Sequence, residues 1–191
     1  RDAEYHKQQG EKAATMQGKL VEQVNEVGLA LLRNGSVLLN MRSSAGVKAR
    51  IQSRTDDGGS SFAAPWVVDS LPDPVNNGGL TAMPDGLVAL THDATTSSRT
   101  NMSLFTSSDG KPPRSRWHLA CILPRAPISS HATLWAGGGS WDDGRVLWEG
   151  PAAYSTSTPL RDNVLGVLYE RGLKSDVEDI VRTATYKCLC C

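Results

Sequence analysis

From residue 24 onward the chain is written in short apolar runs, each closed by Gly, Pro, Asn or Asp. VGLALL and SVLLNM, GLTAM and LVALTH, NMSLFT, RVLWEG and VLGVLYE all have this form. Runs this short, bounded by turn signals and lacking a helical period, read as strands. The expected class is therefore all-β, as a sandwich, a barrel or a propeller. Residues 1–23 are polar with few apolar anchors and read as a poorly structured lead-in. The β portion is expected over residues 24–186. It closes with a charged loop, RGLKSDVED, and one more strand, IVRTATY; residues 187–191 (KCLCC) form a Cys-rich tail.

An internal repeat favours the propeller. TDDGGSSF (55–62) has a hydroxyl, an Asp two places on, glycines, a second hydroxyl and an aromatic. SSDGKPPRSRW (107–117) keeps that order with extra residues before Trp117, and the two begin 52 residues apart. One propeller blade occupies roughly 40–50 residues, so the spacing fits one unit per blade. The repeat calls for a tight hairpin: the Asp carboxylate accepts backbone N–H bonds, the glycines allow positive φ, and the aromatic packs under the loop. Asp57 and Asp109 are thus structural, not catalytic acids.

Bulk composition removes several classes of function. With 20 basic and 20 acidic side chains the net charge is zero, which argues against a nucleic-acid or membrane-surface protein. No apolar run approaches the roughly 18 residues of a membrane span, and the start of the chain has no signal-peptide pattern. Cys121, Cys188, Cys190 and Cys191 lack the paired spacing of a zinc site, so neither a metal nor a cofactor is expected.

Two stretches carry candidate chemistry. In GPAAYSTSTPL (150–160) Tyr154 is surrounded by Ala152, Ala153, Ser155 and Thr156, which leaves room for something to approach the phenol. In VNEVGLALLRNGSVLLNMRSS (24–44) the RNG between apolar runs reads as a hairpin turn. A three-residue loop, Arg33-Asn34-Gly35, with Gly35 left-handed pairs Leu32 with Ser36. Counting outward then sets Glu26 directly opposite Arg42, on one face at the end remote from the turn. An ordinary cross-strand ion pair would look the same, at about 0.2–1 kcal/mol.

Taken together, these stretches resemble the sialidases (neuraminidases). The repeats are similar to the family's Asp box, S-x-D-x-G-x-x-W, with Thr55 for Ser and Phe62 for Trp in the first copy and the second copy stretched. NE followed by a strand, a turn and LLNMRS resembles the segment with the nucleophile's glutamate partner and the second arginine of the family's triad. Val27 departs from the cysteine common after NE. RTNMSLFTSSDG (99–110) resembles the strand with the third arginine, GPAAYS the segment with the nucleophile, and VLYERG the final strand.

The resemblance implies a six-bladed β-propeller and a retaining exo-alpha-sialidase acting on terminal sialic acid of glycoproteins, gangliosides or oligosaccharides. It implies that Tyr154 attacks the anomeric carbon while Glu26 takes its proton, that Arg42 and Arg99 grip the substrate carboxylate, and that Glu170 supports the triad's first arginine. A neutral phenol avoids the repulsion that a carboxylate nucleophile would meet from that substrate carboxylate. With an ordinary pKa of about 10 it needs an adjacent base.

The family's first arginine and its general acid/base aspartate have no counterpart in the sequence. The expectation is accordingly a C-terminal portion of about three to four blades, with little or no turnover by itself. A non-catalytic Asp-box propeller, either carbohydrate-binding or an inactive fragment, is the alternative; the Tyr154–Glu26 pair discriminates, since a lectin needs no proton-abstracting couple. Asn34 and Asn101 lie in N-x-S/T sequons. Asn34 falls on a turn, whereas Asn101 is expected to share the pocket face with Arg99. Compartment and linkage preference stay open, since lysosomal, secreted, membrane-associated and cytosolic members exist.

Overall fold

A computed structural model describes residues 23–44, 46–108, 140–172 and 184–190, the last segment by its backbone. These residues form two antiparallel sheets. The first runs in sequence order through β1 (Val24–Leu31), β2 (Val37–Ser43), β3 (Ala49–Thr55) and β4 (Trp66–Pro72). The second contains β5 (Gly79–Ala82), β6 (Leu87–Asp93), β7 (Thr100–Ser108), β8 (Arg145–Pro159), β9 (Val164–Arg171) and β10 (Ala184–Cys190) in the same neighbour-to-neighbour order. A 3-10 turn, Arg161–Asn163, between β8 and β9 is the one helical element among the described residues.

The 15-residue β8 belongs to two curled halves of its sheet. Its first half pairs with β7 and its second, from Ala152, with β9. The register slips between Ala152 and Ser155, so the strand bulges where its partner changes, and Tyr154 sits on that bulge. Consecutive meanders with their first strands side by side make an all-β, β-propeller-type arrangement; the short runs and turn signals anticipate the all-β class, and the internal repeat the propeller.

β5 packs closely against β8. A Cβ on Gly79 would lie 2.8 Å from Thr156 Cα, so only glycine permits the approach. Thr81 Oγ1 donates to the Ser157 carbonyl at 2.8 Å across the same contact. Leu38, Leu71 and Leu90, all fully buried, lie in the cluster that joins the first sheet to β5 and β6. Each contributes about 1.5–3 kcal/mol by leaving water. On β1 the alternation is plain: Ala30 faces this core, whereas Val27, Leu29 and Leu31 are exposed on the other side.

The hairpin forms as read from the sequence, with one change. Gly35 is left-handed at φ 88°, Leu32 N–H donates to the Ser36 carbonyl, and pairing runs from Leu31↔Val37 to Val27↔Met41. The register then shifts, so that Asn25 rather than Glu26 is the cross-strand partner of Arg42. Glu26 is the extra residue of a bulge, with φ 47°.

The turn at 55–62 is held from within. Thr55 Oγ1 accepts Gly59 N–H at 2.9 Å, and Asp57 accepts Ser61 N–H at 2.9 Å and Ser61 Oγ–H at 2.6 Å. Phe62 does not pack beneath the loop as expected, because it is 56% exposed. Asp109, Trp117, Cys121 and Cys191 lie outside the described residues, as do residues 1–22. At the other end the backbone of Lys187–Cys190 pairs with β9, so the boundary expected at residue 186 falls inside β10.

Candidate active site

The bulge in β1 turns Glu26 toward Arg42 despite the slipped register. Arg42 Nη1 donates to Glu26 Oε2 at 2.7 Å, and both side chains are partly shielded, 18% and 27% exposed. Tyr154 comes from the bulge of β8, 128 residues along the chain, and its hydroxyl donates to Glu26 Oε1 at 2.6 Å. Arg42 Nη1 also reaches the phenol oxygen at 3.3 Å. One carboxylate thus holds a phenol and a guanidinium on its two oxygens, and the same guanidinium touches the phenol. Burial opposes the charge on Arg42, but the phenol and Glu26 outweigh it and hold the guanidinium above its ordinary pKa.

Arg99 stands on the bend just before β7, with its carbonyl accepting Ala152 N–H at 2.9 Å. Its guanidinium carbon is 5.8 Å from the centre of the Tyr154 ring. The phenol, 39% exposed, therefore has cations on two sides and an open approach, with the small side chains expected around it. Arg42 Nε is buried and has no partner among the described residues. Glu170, on β9, accepts the backbone N–H of Tyr154 at 3.0 Å; its observed partner is thus the nucleophile candidate's own main chain.

Asn101 does not follow the alternation expected from Arg99. Arg99 precedes the strand, and Asn101 is left-handed at φ 63° with its amide on the Ala94 carbonyl. Its side chain is thereby tied to the β6–β7 connection. Asn34 sits exposed on the β1–β2 turn.

Behind Tyr154 lies a buried polar layer that sequence reading missed. Arg50, fully buried on β3, donates to Asn40 Oδ1 at 2.7 Å and to the Asn76 carbonyl at 2.6 Å, and pairs with Asp73 at 3.5 Å. Asn76 Nδ2 donates both to Asp93 Oδ2 at 2.6 Å and to the Ala153 carbonyl at 2.8 Å. Burial pushes the Asp93 carboxyl up to about 7, helped by the negative charge of Asp73. His92 beside it is stacked on Phe105 and held by burial to about 3, so it is neutral. The available signal was ARIQSRT and PDPVNN, whose polar residues look like surface.

Residues 2–167 match the family of the BNR repeat-like domain. A sialidase of Micromonospora viridifaciens is 31% identical over 142 residues, which is 74% of this chain and 19% of that protein. Among solved structures, the intramolecular trans-sialidase of Ruminococcus gnavus, complexed with oseltamivir carboxylate, superposes with a TM-score of 0.61 at 15% identity. It aligns with 86% of this chain and 32% of its own. The NanB sialidase of Streptococcus pneumoniae gives 0.61 at 16% identity, over 86% of this chain and 23% of its own. These two likenesses concern the fold. The chain spans about a fifth of the length of the curated relative it matches.

Proposed function

Since the chain belongs to the sialidase family, we propose that its residues supply the nucleophilic half of an exo-alpha-sialidase site in a longer, six-bladed propeller. Tyr154 is the nucleophile, Glu26 its general base, and Arg42 and Arg99 the carboxylate-binding arginines. The observation that carries this reading is the 2.6 Å hydrogen bond from the Tyr154 hydroxyl to Glu26, with Arg42 touching both partners.

The substrate is a terminal sialic acid on a glycoprotein, ganglioside or oligosaccharide. Its carboxylate lies between the guanidinium groups of Arg99 and Arg42, which flank the Tyr154 phenol. Guanidinium forks match a carboxylate in a way that a lysine does not. As the phenol oxygen bonds to the anomeric carbon, its proton passes to Glu26 Oε1. The glycosidic C–O bond breaks, and the leaving oxygen takes a proton from an acid supplied from outside this group of residues. Arg42, within 3.3 Å of the phenol oxygen, stabilises the negative charge that develops there. Water then attacks the anomeric carbon and gives its proton to the conjugate base of that external acid, the tyrosyl bond breaks, and Glu26 returns its proton to the phenolate, with net retention.

The test is hydrolysis of a fluorogenic sialoside by the complete protein carrying this segment. Tyr154→Phe abolishes most turnover and leaves the affinity for a sialic-acid-like inhibitor nearly unchanged. Full activity in that variant refutes the assignment. The 191-residue chain alone gives little or no turnover, and substantial hydrolysis by it would mean that the acid lies within these residues.

A further inference from the structure

We infer that Asn76 and Asn77 are positioning residues for Tyr154, acting as a clamp on the main chain either side of it. The inference rests on Tyr154 being the nucleophile. Where β8 changes partner, the ladder to β9 slips between Ala152 and Ser155, and the peptide groups there need other partners. Side chains supply them. Asn76 Nδ2 donates to the carbonyl of Ala153, the residue before the tyrosine. Asn77 Oδ1 accepts the N–H of Ser155, the residue after it, at 3.3 Å. Glu170 takes the N–H of Tyr154 itself.

The clamp is anchored in its turn. Asn76 is fully buried; its own N–H donates to Asp73 at 3.3 Å, its carbonyl accepts from Arg50, and its amide bridges to Asp93. The preceding Val75 is left-handed, φ 72°, a conformation costly for a β-branched residue. Strain of this kind persists where surrounding contacts over-determine the backbone, and it clusters at functional sites. Fixing residues 153–155 fixes where the phenol oxygen lies relative to Glu26, and small misplacements of a reacting group are costly to rate.

Amide hydrogen exchange on this chain tests the clamp without any turnover. Asn77→Ala should speed exchange at Ser155 by about tenfold, the equivalent of one lost hydrogen bond, while Leu90 in β6 keeps its protection. Asn77→Asp keeps an acceptor at that point and recovers most of the protection. Asn76→Asp replaces the donor with a carboxylate facing the Ala153 carbonyl and Asp93, and should be no better than Asn76→Ala. In the complete protein, Asn77→Ala should lower kcat with KM held. Unchanged exchange at Ser155 overturns the clamp. A rise shared equally by Leu90 also overturns it, since it signals a merely structural role. Activity in Tyr154→Phe instead removes the nucleophile assignment, while the Ser155 exchange result still decides the clamp.

Discussion

Asp93→Asn should stabilise the fold above neutral pH and do nothing at pH 4. In the unfolded chain this carboxyl has its ordinary pKa of 3.8, and in the folded protein burial raises it to about 7. Between those values the folded state keeps a proton that the unfolded state has released. Stability therefore falls as pH rises across the window, by about 1.4 kcal/mol per pH unit for one proton. Over about three units the ceiling is near 4 kcal/mol. Asn retains the acceptor that Asn76 uses but loses the attraction of Arg99 and adds donors to a crowded site, so a gain of about 1–3 kcal/mol at pH 8 is expected.

His92 has the opposite sign. Its folded pKa of about 3 lies below its ordinary 6.5, so its contribution is complete above 6.5 and is lost as pH falls toward 3. The two residues offset each other between about pH 4 and 6.5, and the variant should expose the His92 slope. Asp73, raised in the same direction, repels Asp93, so removing the Asp93 charge also eases ionisation of Asp73 and adds to the difference with the same sign. Urea unfolding followed by tryptophan fluorescence from pH 4 to 8 measures this difference. A gap between variant and parent that does not change with pH refutes a protonated, buried Asp93.

Three further outcomes are expected. In the complete protein, Arg42→Lys or Arg99→Lys should weaken a sialic-acid-like inhibitor by roughly 10–100-fold in calorimetry, as forked, charge-assisted bonds are lost. Val75→Asn should raise the urea midpoint, with a gain of about 1 kcal/mol, because Asn tolerates the left-handed backbone. Asp57→Ala should open the 55–62 turn to limited proteolysis without touching inhibitor affinity. Since hydrogen bonds from Ser61 hold Asp57 down to about 2, the parent turn should resist cleavage at pH 4 and lose that resistance only as pH falls through about 2.

What the sequence made legible was whatever is encoded locally. The Arg33-Asn34-Gly35 turn fixed the pairing of β1 with β2, because one left-handed glycine determines the loop and the loop determines the register. That logic fails at Glu26, where a bulge with no glycine and no proline interrupts the count. The side chain reaches Arg42 by a different backbone path from the one expected. β3 escaped notice because Arg50, Gln52 and Ser53 are buried polar residues, and the partners of Arg50, namely Asn40, Asp73 and Asn76, lie in separate segments that no local window contains. Phe62 errs the other way: the aromatic of the Asp-box pattern stays exposed. The Tyr154–Glu26 pairing joins residues 128 apart, and family resemblance rather than any periodicity brought them together.

The apolar face of β1 has a practical consequence for handling the chain. Val27, Leu29 and Leu31 present 46%, 61% and 65% of their surface to water at alternate positions of a strand that pairs on one side only, with β2, among the described residues. An uncharged apolar stripe beside a ladder edge left unpaired among the described residues is a template for cross-β stacking. In concentrated solution such chains should form sedimenting particles that bind thioflavin, and the growth should slow when a charge is placed mid-stripe, as in Leu29→Lys. Colloidal behaviour would then be governed by three side chains that take no part in the site.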